Sequence, residues 1–270
     1  MPTLDQHQSS SYTKLLYIGN SSSGKTGSLV SLLTAGYSLV ILDMDNGLDS
    51  LVQFAKRDCP DKLKNVRFET VRDKYKATLQ GPIVSGTPKA FTDALQLMTK
   101  WSDGSDPAEL GPNTIFVLDS LSAFGKTAFD WAKGMAPTAK DPRQWYFSAQ
   151  GAVENMISLL TSESFHTNVI VISHVQYKEQ ADGTTQGFAN TIGSALGPII
   201  PRYFNTLILA ERTGSGKNVK RKIKTIPTDM IDLKNPAPFK VESELPLESG
   251  MATLFANLKE LQPSTQESKP

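Results

Sequence analysis

Tyr17-Ile18-Gly19-Asn20-Ser21-Ser22-Ser23-Gly24-Lys25-Thr26 is the stretch that decides the fold. An apolar run at residues 14–18 precedes it, and residues 27–34 after it have helical composition. Strand, G-x-x-x-x-G-K-T, helix is the P-loop pattern. Gly19 and Gly24 let the backbone turn tightly enough to aim N–H groups at phosphate oxygens. Residues Gly19, Asn20, Ser21, Ser22, Ser23, Gly24, Lys25, Thr26 and Gly27 are therefore the expected cradle. Lys25 should reach the β- and γ-phosphates, and Thr26 should place its hydroxyl on Mg²⁺. A Gly/Ser-rich turn could match four positions by chance, but it would not also require the flanking strand and helix.

Working outward, residues 38–42 are a continuous apolar run, as in a strand buried on both faces of a parallel sheet. The run ends in Asp43-Met44-Asp45-Asn46-Gly47-Leu48-Asp49. Acidic residues at such a strand end face the ligand crevice of an open α/β sheet, although the same residues also make turns. Thr114-Ile115-Phe116-Val117-Leu118-Asp119-Ser120 repeats the theme in Walker B form. Asp119 is expected to hold Mg²⁺ opposite Thr26. Residues 168–174 form a third apolar strand that ends on His174, placed to sense a γ-phosphate.

The spacing predicts helices over 28–35, 48–57, the stretch after Pro88 carrying Phe91, Ala94, Leu95 and Met98, 149–160 and 252–261. Further strands are expected at 66–71, 204–210 and 219–224, with irregular chain at 72–87 and 102–112. Residues 121–149 interleave Lys126, Lys133, Lys140 and Arg143 with Phe124, Phe129, Trp131, Trp145, Tyr146 and Phe147. That composition suits a loop that stacks bases and tracks phosphates. It equally suits core aromatics beneath a solvated lysine face. Residues 175–192 show no apolar period and read as a long functional loop.

The totals bound the class. The chain has 270 residues, 39% hydrophobic and 20% charged, with net charge +1. A nucleic-acid surface must then be a local patch. One cysteine, Cys59, excludes an internal disulfide and points to a reducing compartment. Residues 1–12 lack the signature of a signal peptide, and no apolar run reaches the roughly 18 residues of a membrane span. The expected location is cytoplasmic, in the host cytoplasm for a viral protein. The expected organisation is a flexible arm at 1–12, one domain at 13–262 and a disordered tail at 263–270.

The order of these parts resembles the RecA/RadA recombinase core over roughly residues 14–226, with close identity confined to short motifs. The resemblance implies an α/β RecA-like P-loop NTPase core: a mostly parallel central sheet flanked by helices, with a C-terminal antiparallel hairpin. It implies ATP and Mg²⁺ as ligands. Asp45 falls on the family's water-activating glutamate and is one methylene shorter. Asp49 falls where the family contacts adenine, and His174 where a glutamine couples nucleotide to the second DNA loop. Residues 121–149 and 175–192 would hold the two DNA loops. Val219-Lys220-Arg221-Lys222-Ile223 is similar to a strand whose two lysines enter the neighbouring subunit's ATP site. Lys220 and Lys222 share one strand face; they equally read as charges that block edge pairing. Lacking the family's accessory domains, the chain most resembles phage-encoded RecA-fold single-strand annealing ATPases, and Gly193-Ser194-Ala195-Leu196-Gly197-Pro198 and Lys234-Asn235-Pro236 fit that group.

The expected function is a DNA-dependent ATPase that binds single-stranded DNA and promotes annealing or strand exchange. The implied partners are single-stranded DNA, further copies in a ring or filament, and a single-strand DNA-binding protein, with no membrane. A hexameric helicase-type motor and a nucleotide-switched recombination mediator are the alternatives. A GTPase lacks support because N-K-x-D is absent. A small-molecule kinase would leave the basic strand and polar loop without a role.

Overall fold

The computed structural model describes residues 11–79 and 81–259. The expected tail at 263–270 lies outside the described residues, as does all but the end of the expected arm. In chain order the elements are β1 (Lys14–Gly19), α1 (Lys25–Ser28), α2 (Val30–Thr34), β2 (Ser38–Asp43), α3 (Asp49–Asp58), β3 (Val66–Thr70), β4 (Tyr75–Lys76), β5 (Ile83–Val84), α4 (Ala90–Thr99), β6 (Gly111–Asp119), α5 (Leu121–Met135) and α6 (Arg143–Thr161). Then follow β7 (Thr167–Ser173), β8 (Val175–Glu179), β9 (Thr185–Ala189), β10 (Thr206–Thr213), β11 (Lys220–Lys224), β12 (Glu244–Pro246) and α7 (Gly250–Lys259).

The main sheet has eight strands in the order β12-β11-β10-β1-β7-β6-β2-β3. Strands β10, β1, β7, β6, β2 and β3 are mutually parallel, and β11 and β12 add an antiparallel edge. This is the expected α/β architecture. Parallel pairing puts Gly19, Asp43, Asp119 and Ser173 at one carboxyl edge, with β7 between the P-loop strand and β6. Alternation splits each apolar strand between two cores. Leu16, Ile18, Val40, Leu42, Phe116 and Leu118 pack on the side of α4, α5 and α6. Leu15, Tyr17, Leu39, Ile41, Ile115 and Val117 pack on the side of α1, α2, α3 and α7. Each such buried side chain contributes about 1.5–3 kcal/mol, which is why these runs contain almost no polar residue.

The expected helix over 28–35 is two pieces, α1 and α2, joined through Leu29, which keeps helical dihedrals. Gly36, at φ +99, ends it. Two expected loops are corrected. Residues 121–149 are mostly α5 and the start of α6, because Leu121, Phe124, Ala128 and Ala132 form a buried stripe at helical spacing. Phe129 stacks on Tyr146 at 4.6 Å and holds the two helices together. Residues 175–192 are not structureless: β8 and β9 form an antiparallel hairpin from Val175↔Ala189 to Glu179↔Thr185. Its outer positions are polar because one face meets water, so no continuous apolar run marks it. Within 72–87, β4 and β5 form a small pair of their own. Among the described residues no helix is long and apolar enough to cross a membrane.

Candidate functional site

The turn after β1 is shaped by backbone geometry. Gly24 sits at φ +97, and a Cβ there would lie 2.4 Å from Leu247 Cδ2. A Cβ on Gly19 would lie 2.7 Å from the Ala210 carbonyl. Both positions therefore require glycine. Lys25 folds back over the loop, donating to the Gly19 carbonyl at 2.8 Å and the Asn20 carbonyl at 3.0 Å. Burial pushes its pKa down to about 8, against the opposing pull of Asp119 and Asp45. Inside the loop Ser23 Oγ is buried without a hydrogen-bond partner. An unpaired buried hydroxyl in a turn lined with N–H groups suits an anion that completes it. Gly27 differs from the rest of the expected cradle: a Cβ there would meet Phe54 at 2.7 Å, so it serves the packing of α1 on α3.

Three carboxylates meet at the carboxyl edge. Asp119, at the end of β6, accepts from Thr26 Oγ1 at 2.6 Å and is 4% exposed. Burial raises its pKa to about 6; Thr26 and Lys25 oppose the rise, and Asp45 and Asp43 add to it. Asp45 accepts from Ser120 Oγ at 2.6 Å. Asp43, buried, accepts from Thr70 Oγ1 at 3.0 Å and from the Asp45 and Gly47 amides at 3.2 Å each. Asp43 therefore builds the turn that presents Asp45, a role that sequence reading did not separate from its neighbours. Asp49 stands exposed in the first turn of α3.

His174 follows β7. Its amide donates to Ser122 Oγ at 3.1 Å and its carbonyl accepts from the Asn190 amide at 2.8 Å. The backbone is thus fixed between α5 and the end of β9. Burial lowers the imidazole pKa, Lys25 lowers it further, and Asp45 opposes both. The lowered pKa favours the neutral ring, which feels the same Lys25 and Asp45 charges that bear on the P-loop. The hairpin beyond it reaches back: Asn20 Nδ2 donates to the Tyr177 hydroxyl at 3.4 Å.

The structure brings Lys25, Thr26, Asp45, Asp119 and His174 together. Lys220 and Lys222 are not part of that group within one chain. Lys220 is exposed, and Lys222 bonds Glu244 at 2.6 Å and lies 3.4 Å from Glu211. The residue between them was missed: Arg221 Nε donates to the Ser22 carbonyl at 3.1 Å.

Thr26 and Asp119 offer hard oxygen donors of the kind Mg²⁺ takes. Among the described residues no three His, Cys, Asp or Glu side chains converge to hold a metal alone, so phosphate oxygens and water would have to complete such a site. The partnerless Ser23 hydroxyl and the clustered carboxylates fit that occupancy.

A tight glycine turn, a lysine folded over it and a threonine–aspartate pair that spans to a strand end two positions away define a P-loop domain. The chain belongs to the AAA domain family, whose family model matches residues 11–237. Among solved structures it is similar to the RadB recombinase, with 14% identity over 84% of each chain and a TM-score of 0.46. It is also similar to the flagellar accessory protein FlaH from Methanocaldococcus jannaschii, with 14% identity over 87% of this chain and 84% of that one and a TM-score of 0.45. A KaiC-like protein from Pyrococcus horikoshii OT3 shows 9% identity over 81% of this chain and 80% of that one, with a TM-score of 0.42. No curated protein matches the chain.

Proposed function

We propose that this chain, as one domain over 13–262, is an ATPase that binds single-stranded DNA and promotes annealing or strand exchange in homologous recombination, including phage recombination. The observation that carries the reading is the Thr26–Asp119 contact beside Lys25 and the unpaired Ser23 hydroxyl. Lys25 binds the β- and γ-phosphates, and Asp49 contacts adenine. Thr26 and Asp119 would hold Mg²⁺, which supplies charge neutralisation to the phosphate oxygens when bound. Asp45, oriented by Ser120, positions the attacking water and takes its proton. His174 donates or withholds a hydrogen bond at the γ-phosphate and passes that state to the β8–β9 hairpin. Lys220 and Lys222 of a neighbouring copy complete the site in a ring or filament. Lys222 must leave Glu244 to do so.

Single-stranded DNA is assigned to the exposed aromatics at the start of α6, Tyr146 and Phe147, beside Lys140 and Arg143. A single-strand DNA-binding protein is a further partner, and the location is cytoplasmic. ATP turnover with and without single-stranded DNA, with electron microscopy of the same samples, tests the proposal. DNA-stimulated turnover with rings or filaments is expected, and turnover that ignores DNA contradicts it. A second reading, a nucleotide-held recombination mediator, is favoured by the short Asp45 side chain tied to Ser120 and predicts nucleotide binding with almost no turnover. Directional unwinding of a forked duplex would favour a helicase instead.

A further inference from the structure

We infer that Arg221 is a nucleotide-binding residue that acts within its own chain, contacting the polyphosphate held on that chain's P-loop. The inference rests on the nucleotide reading above. Side chains on β11 alternate between the two faces of the sheet. Ile223, fully buried, packs with Leu245, Leu247 and Met251 on the face that carries α1 and α2. Arg221, two residues earlier, shares that face. Lys222 and Lys224 take the other face, where Glu211 and Glu244 neutralise them.

Arg221 lies against the P-loop itself. Its Nε donates to the Ser22 carbonyl at 3.1 Å, and its Cδ is 3.3 Å from where a Cβ on Gly24 would stand. Among the described residues its two terminal nitrogens have no hydrogen-bond or ion-pair partner. A guanidinium anchored at Nε with both terminal nitrogens free presents a planar fork suited to phosphate oxygens.

A second observation also points to an anion. Arg221 pairs directly across the ladder with Arg212, so two arginine side chains leave the sheet on one face. Like charges directly opposite each other destabilise a sheet. No carboxylate forms an ion pair with either among the described residues. A polyphosphate on the adjacent P-loop would supply the missing counter-charge. The strand would then carry two kinds of cation by alternation, with Arg221 for its own nucleotide and Lys220 and Lys222 for a neighbour's.

The test is titration of fluorescent ATP and ADP analogues with Mg²⁺ into the full chain. Wild type, Arg221→Ala, Arg221→Gln and Lys25→Ala are compared, with melting curves lacking nucleotide as the check of folding. Arg221→Ala is expected to weaken both nucleotides about tenfold, as for one charged contact. Arg221→Gln keeps an N–H donor for Ser22 but not the charge, and is expected to bind as weakly as Arg221→Ala. Wild-type affinity in Arg221→Gln would leave Arg221 a mere brace for the loop and overturn the inference. Wild-type affinity in Arg221→Ala would overturn it too, while the loss in Lys25→Ala would leave the nucleotide reading intact. A wild-type chain that binds neither nucleotide would bring down both. Mixing Arg221→Ala with Lys25→Ala should restore no tight sites; recovery of tight sites would show that Arg221 acts across an interface.

Discussion

The Thr26 hydroxyl and the Asp119 carboxylate lie 2.6 Å apart, joining the first turn after the P-loop to the end of a strand two positions away in the sheet. The hydroxyl donates and the carboxylate accepts. The carboxylate is buried and its charge is under-compensated, with a pKa near 6.

That penalty has a sign. A carboxylate whose folded pKa is raised destabilises the fold fully above the folded value, progressively less down to its unfolded value near 4, and not at all below that. Asp119→Asn should therefore stabilise the nucleotide-free chain by on the order of 3 kcal/mol at pH 7. The advantage should shrink as pH falls from 6 to 4. Thermal melts of both proteins across pH 4–8 check it. The same substitution should abolish Mg²⁺-dependent turnover.

Asp45 is held by Ser120 at 2.6 Å, so its orientation depends on one hydroxyl. Asp45→Asn should lower kcat at least about 100-fold, as for loss of a general base, with little change in nucleotide affinity. Ser120→Ala should lower kcat less. Steady-state kinetics beside equilibrium nucleotide binding separates the two effects.

Gly24 cannot carry a side chain without strain, at φ +97 and with Leu247 against it. Gly24→Ala should cost about 1–2 kcal/mol from the backbone alone. It should also weaken nucleotide binding, because the loop must rearrange. A lower melting temperature together with a weaker Kd is the expected result.

The parallel core was readable because β1, β2, β6 and β7 are buried on both faces and so appear as unbroken apolar runs. Their polar ends then located Asp45, Asp119 and His174. Helix α5 was obscured because its aromatics and lysines mimic a nucleic-acid loop, although Leu121, Phe124, Ala128 and Ala132 carry the helical period. The β8–β9 hairpin has a solvated face and left only a polar stretch. Asp43 and Asp45 look alike in sequence, and only burial separates the brace from the presented carboxylate. Arg221 was hidden between two lysines, although buried Ile223 marks the face it shares.

Phe147 is 81% exposed at the start of α6, beside Tyr146 at 41%. Phe147, the more open of the two rings, contributes little to stability, so Phe147→Ala should leave the melting temperature within about 2 °C. If they stack bases, the same change should weaken single-stranded DNA binding by about 1–3 kcal/mol. Fluorescence anisotropy with a labelled oligonucleotide checks the second effect and calorimetry the first.

The most direct measurement of the central claim is the rate of ATP hydrolysis by wild type and Lys25→Ala, each with saturating Mg²⁺ and single-stranded DNA. Loss of the lysine that lies over the P-loop should reduce turnover to background. Wild-type turnover in Lys25→Ala would contradict the placement of the chemistry at Gly19–Thr26.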